Sequence, residues 1–234
     1  MFLVYFAGEL FSSKHLVGNA ALADAIAKAS NLNFACVLPQ TLEDREMRAQ
    51  DIRDKDIVTL IGCDLALFNF DGPELDSGTV VEFMFAKFAD IPSLLLRTDF
   101  RRAGDQGEDP WNLMMSFYPR TRTLCLNSME IYKKALSSGM SPVRAGQSLT
   151  EQVANAAVRE LELLSRLAPV IPGELTEPVF RWLSKMPGFH SSESGEKVMA
   201  ALARKKANRP LTEPAGACRL RFLWRKISNL SSMN

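Results

Sequence analysis

Short apolar runs recur through the first half of the chain, each closed by a turn residue and followed by a segment of helical length. FLVYFAG (2–8) stops at Gly8, FACVLPQ (34–40) is stopped by Pro39, and DLALFNFDG (64–72) ends in an Asp-Gly turn signal. IPSLLLRTD (91–99) and RTLCLN (122–127) supply two more. Between the first two runs, Ser12 and Ser13 offer caps for a helix whose apolar side is Leu16, Val17, Ala20, Leu22, Ala25, Ile26 and Ala29. The segment 41–62 is polar and predicted helical, closing at Gly62, and 79–89 is a helix apolar on nearly all sides.

Five strands separated by helices predict an α/β fold: a doubly wound, flavodoxin-like five-stranded parallel sheet. Such sheets place ligands at the carboxyl ends of their strands, where Gly8, Asp71 and Arg97 fall, with Tyr5 just inside the first. From about residue 139 the character changes. SSGMSPVRAGQS (137–148) is linker-like, LTEQVANAAVRELELLSRLA (149–168) is an amphipathic helix with Thr150 as its cap, and 169–190 is rich in Pro and Gly. The expected division is a catalytic domain over 1–138 and a helical C-terminal extension over 139–234.

Composition narrows the function. Hydrophobic residues make up 47% of the 234 and charged residues 24%, with no apolar run long enough to span a bilayer, so no membrane partner is expected. The opening MFLVYFAGELF lacks a basic leader and reads as a strand, which places the protein in the cytoplasm. Cys36, Cys63, Cys125 and Cys218 form no CxxC pair, and only His15 and His190 accompany them; neither a metal site nor a disulfide framework is expected, and the three cysteines in or beside apolar strand-like runs read as reduced, buried thiols. Residues 201–234 carry eight Lys and Arg against Glu213, a basic tail on an acidic body.

The first strand runs into AGELFSS, not GxGxxG, and no GxxxxGK[ST] loop follows, so neither a dinucleotide nor a nucleoside-triphosphate cradle is expected. A Ser-His-Asp reading needs a histidine set against a nucleophile, and His15, followed by an apolar helix, reads instead as a surface residue of that helix. What remains is a set of carboxylates, Asp56, Asp71, Asp76 and Glu82, with Tyr5 on the first strand. Glu82 stands among Val80, Val81, Phe83, Met84 and Phe85, an apolar setting in which a carboxylate needs a partner or a shifted pKa. Thr79-Val80-Val81-Glu82 has the spacing of a capping box, which would give Glu82 a local role. A helix start would also favour its anionic form.

VYFAGELFS (4–12), FNFDGPELDSGTVVEFMFA (68–86), RTDFR (97–101) and PWNLMM (110–115) together resemble the nucleoside 2-deoxyribosyltransferase family over roughly residues 3–135, most specifically in the D-x-G-T-x-x-E element from Asp76 to Glu82. The resemblance implies that Glu82 is a nucleophile toward C1′ of a 2′-deoxyribosyl group and that Tyr5 orients it. Asp76 and Asp56 would hold the base and manage its proton, and Asn112 would reach the sugar 5′-hydroxyl from a neighbouring subunit. Asp71 and Gly8 join these as substrate-binding positions. The partners implied are a deoxynucleoside, a free nucleobase and further copies of the chain in a homo-oligomer with shared sites; no cofactor is implied. The chemistry agrees: a retaining glycosyl transfer needs one carboxylate to trap C1′ and a second acid for the leaving base.

Two rivals stand beside this. A hydrolase of deoxynucleoside 5′-monophosphates would draw a phosphate cradle from Ser12, Ser13, Lys14 and Arg97. A non-catalytic nucleoside-binding regulator would use the basic tail, although Phe222 and Trp224 between its arginines suit packing equally, and nucleic acid is not expected as a partner.

Overall fold

The computed structural model describes residues 1–42, 46–101 and 110–207. Five parallel strands lie in the order β2-β1-β3-β4-β5: β1 (Phe2–Ala7), β2 (Phe34–Val37), β3 (Leu65–Asn69), β4 (Ser93–Arg97) and β5 (Thr121–Cys125). This is the doubly wound α/β sheet expected from the sequence. Its strand order reverses between β1 and β3, so the crevice for a ligand opens there, at the carboxyl ends. In register, Tyr5 pairs with Val37 on one side and Ala66 on the other.

Side chains alternate across the sheet and build two cores. Val4, Phe6, Leu65, Leu67, Leu94 and Leu96 face α1 (Ser13–Ala29) and α5 (Pro142–Ser165); Tyr5, Ala7, Ala66, Phe68 and Leu95 face α2 (Ala49–Gly62) and α3 (Ser77–Phe88). Ser12 caps α1 as expected, accepting the His15 N–H at 3.4 Å. β2 is shorter than the run 34–40, because Pro39 opens a 3₁₀ turn. β5 is an edge strand, which leaves Cys125 exposed where a buried thiol was expected; Cys63 is buried and Cys36 half-buried, and desolvation pushes both thiols up to about 12.

The stretch 137–148 is not a linker. After α4 (Ser128–Ser137), Ser141 accepts the Arg144 N–H and Pro142 takes the first helical position, so α5 begins at once and runs through Gly146. Thr150 lies inside that helix and donates to the Gly146 carbonyl (3.1 Å) instead of capping it. Val153, Ala154, Ala157, Val158, Leu161 and Leu164 of α5 are buried in the same core as Val4 and Phe6. The remaining helices, α6 (Gly173–Leu183) and α7 (Ser192–Ala207), pack on the α2/α3 side. Trp182 of α6 meets Phe88 of α3 edge-on at 6.0 Å, so part of the apolar surface of α3 is covered by the chain itself. Among the described residues no helix is long and apolar enough to cross a membrane. Most of the basic tail, from Arg209 onward, lies outside the described residues, as does Cys218.

Candidate active site

The D-x-G-T-x-x-E element is built around a helix start, but not the one its Thr-Glu spacing predicts. Asp76, with extended backbone, caps α3: its Oδ2 accepts both the backbone N–H and the hydroxyl of Thr79, each at 2.7 Å. Gly78 leaves room for this, since a Cβ there would stand 3.2 Å from the same Oδ2 and crowd it. Thr79 is therefore a donor to the cap and not the cap, and the capping box between Thr79 and Glu82 does not form. With Thr79 fixed, Glu82 follows one turn later, on the side of α3 that faces the sheet.

There Glu82 meets Tyr5. The tyrosine hydroxyl donates to Glu82 Oε1 at 2.6 Å, across 77 residues of sequence, and Tyr5 itself is fully buried. Desolvation raises the Glu82 pKa to about 7; the Tyr5 hydrogen bond opposes this, and the charges of Asp56 and Asp76 add to the rise. The helix start does not keep Glu82 anionic as its position in the sequence implied, because the positive end of α3 lies at Asp76 and its influence fades within the first turn. The Tyr5 phenol is also pushed well above its usual range, by burial first and then by the charges of Glu82 and Asp56. Tyr5, Asp56, Asp76 and Glu82 thus form one electrostatic cluster at the carboxyl edge of the sheet, contributed by β1, α2 and both ends of the first turns of α3.

The other predicted positions are placed differently. The Asp71 carboxylate turns to the β4 end, accepting the N–H groups of Thr98 (2.5 Å) and Asp99 (2.8 Å) and the Thr98 hydroxyl (2.7 Å). Gly8 brings β1 against β3, where a Cβ would lie 3.2 Å from Cβ of Asn69. Asn112 is exposed; its Oδ1 accepts the Met114 N–H (2.9 Å) at the start of a 3₁₀ turn, while the preceding Trp111 is buried against Phe70 at 5.8 Å. Arg97 is 2% exposed and donates to the carbonyls of Phe70 (2.7 Å), Gly72 (3.0 Å) and Arg101 (3.1 Å). It braces the loop after β3 and is not free to meet a phosphate. A cavity of about 220 Å³ opens on the α1/α5 side of the same edge, between Glu9, His15, Asn19, Asn69 and Thr98, and reaches neither Tyr5 nor Glu82, whose side chains point to the other face. Two contributions escaped the sequence reading: Thr79 as holder of Asp76, signalled by the Asp-x-x-Thr spacing, and Thr98 as holder of Asp71, for which no local signal exists. Among the described residues no group of three or more His, Cys, Asp or Glu is placed to hold a metal ion.

The sequence model of the nucleoside 2-deoxyribosyltransferase family matches residues 4–114. No curated protein matches the chain. Among solved structures, a conserved protein from Enterococcus faecalis V583 is 24% identical with a TM-score of 0.41, over 70% of this chain and 95% of its own. A 2-desoxiribosyltransferase from Leishmania mexicana is 20% identical with a TM-score of 0.43, over 60% of this chain and 100% of its own. The CMP N-glycosidase BcmB from Clostridium botulinum is 14% identical with a TM-score of 0.38, over 58% of this chain and 98% of its own. Residues 4–114, which carry Tyr5, Asp76 and Glu82, are thus the part of the chain that matches the nucleoside 2-deoxyribosyltransferase family.

Proposed function

We propose that the protein transfers a 2-deoxyribosyl group between nucleobases by double displacement, with Glu82 as the nucleophile. The observation that carries this reading is the buried Tyr5–Glu82 pair at 2.6 Å, in which a carboxylate with a pKa of about 7 is held by one oxygen and has the other to offer. In the first step Glu82 Oε2 attacks C1′, the N-glycosidic bond breaks, and its electron pair goes to the base nitrogen. That nitrogen, or another on the base, takes a proton. Asp56 and Asp76, whose charges reach Glu82, are the acids assigned to hand that proton to the leaving base. In the second step an acceptor base attacks C1′, the bond to Glu82 breaks, and the acceptor's proton returns to the acid. Two inversions leave the anomeric configuration unchanged.

The Thr79 bonds fix Asp76 through Oδ2, which leaves Oδ1 for the base. Asn112 is assigned to the sugar 5′-hydroxyl in a neighbouring subunit's site, in keeping with its exposure and with the exposed Met114 and Phe117 near it. The monophosphate hydrolase is the lesser reading, since the arginine its phosphate cradle needs is spent on backbone carbonyls. The test is kinetic. With a deoxynucleoside donor and an acceptor base, initial rates should give parallel ping-pong lines and a product of the donor's configuration; base release at a rate indifferent to every acceptor would make the protein a hydrolase.

A further inference from the structure

Helices α6 and α7 lie outside residues 4–114, yet with the loop between them they grip α2, the helix that bears Asp56, in its second turn and at its C-terminal end. At the amino edge of the sheet, the side chains of Arg204 and Lys205 on α7 bond the carbonyls of Gly62 and Cys63, where α2 stops. At the carboxyl edge, Asp54 is 3% exposed, and its Oδ2 accepts the backbone N–H of His190 at 2.6 Å. Arg53 bonds Asp54 Oδ1 (2.9 Å) and also donates to the Gly188 carbonyl (3.2 Å). Phe189, between these two anchors, packs on the core cluster that contains Tyr5, Ile57 and Phe83. The loop joining α6 to α7 is itself held short: a Cβ on Gly195 would lie 2.8 Å from the Ser184 carbonyl oxygen, so the first turn of α7 presses on the end of α6.

α2 needs such support. Its N-cap residue is Arg48, which makes no side-chain capping bond, so the first turn begins without the usual acceptor for its free N–H groups. Asp54 is costly to bury, and its charge is offset by bonds that all run to Arg53 or to the α6–α7 loop. We propose that Asp54 is a positioning residue: by holding the His190 N–H it locks the first turns of α2 to the C-terminal helices and thereby sets where Asp56 stands relative to Glu82. The inference rests on the proposed function for what Asp56 does there; the clamp on α2 does not.

Two full-chain variants break the contact from opposite sides. Asp54→Ala removes the acceptor, and His190→Pro removes the donor while leaving Asp54 in place. In both, hydrogen exchange over residues 49–57 should quicken by at least about tenfold while β1, β3 and α5 keep their rates. Transfer kcat/KM should fall by about tenfold in each, and Asp54→Ala placed on Asp56→Ala should cost nothing further, since residues acting through one another are not additive. Unchanged exchange over 49–57 in both variants, exchange that quickens everywhere alike, or losses that multiply in the double variant would overturn the inference. Wild-type transfer by Asp56→Ala would instead remove Asp56 from base handling and with it the catalytic half of the inference, while the exchange arm decides the clamp by itself.

Discussion

At pH 8 the Glu82 carboxylate is ionised in a place that burial makes expensive. Its pKa is 4.5 in an unfolded chain and about 7 in the fold. Below about pH 4.5 it is protonated in both states and has no effect on the balance. Between there and pH 7 the folded protein keeps a proton that the unfolded chain has released, so stability falls as pH rises, by on the order of 3 kcal/mol once both states are ionised. Glu82→Gln keeps an oxygen for the Tyr5 hydroxyl and never charges. It should therefore be more stable than wild type at pH 8 and indistinguishable from it near pH 4, by denaturant midpoint at each pH, while losing at least about 10³-fold in turnover. Equal stability at both pH values would mean that Glu82 is not desolvated as described. Tyr5, Asp76 and Glu82 are legible in the sequence because two of them lie in one short motif and the third on the first strand. The bond between Tyr5 and Glu82 is implied by the family resemblance and not by the local pattern, since it depends on β1 and α3 meeting through the sheet.

At the scale of the element, the start of α3 shows how a capping signal misleads. Thr79 and Glu82 have the spacing of a box, but Asp76 and Thr79 have the same spacing one turn earlier, and a carboxylate that takes two donors outcompetes a hydroxyl that takes one. Thr79 is 1% exposed, so Thr79→Val keeps its volume and removes one donor. A cost of about 1 kcal/mol is expected, with an unchanged denaturant slope and with Thr79→Ser close to wild type. No change in the midpoint would mean that the backbone N–H alone holds Asp76. The linker reading of 137–148 fails for a related reason: Ser and Pro before an apolar periodicity serve a helix start as readily as a loop, and the burial that decides between them comes from α1 and the sheet. Strands β1 to β4 are legible because each is built on an apolar run ended by Gly, Pro or Asp; β5 is less plain, broken by Arg122 and Thr123 and ended at Asn127.

For the whole molecule, the packing of Trp182 on Phe88 gives α3 a partner within its own chain, and apolar composition alone no longer requires a neighbour there. What still points to one is Asn112, set on the surface beside Met114, 74% exposed, and Phe117, 87% exposed with a positive φ of 67°. If these surfaces meet in a homo-oligomer whose sites are shared, inactive Glu82→Gln and inactive Asn112→Ala proteins should restore activity when unfolded together and reassembled. In a random mixture of two-fold dimers, half the molecules are mixed and each holds one undamaged site, so about a quarter of wild-type activity is the expected recovery. Background activity in assemblies shown by mass to be mixed would place both residues in one chain's site, or remove Asn112 from it.

The covalent intermediate on Glu82 is the claim from which the rest follows. Wild-type protein mixed with a deoxynucleoside in the absence of an acceptor base, quenched in acid and digested, should yield a peptide spanning Glu82 that is heavier by one 2-deoxyribosyl group, with free base released in a burst equal to the adduct. The Glu82→Gln protein should yield none. An adduct on another residue, or base released through many turnovers with Glu82 unmodified at every quench time, would contradict the account.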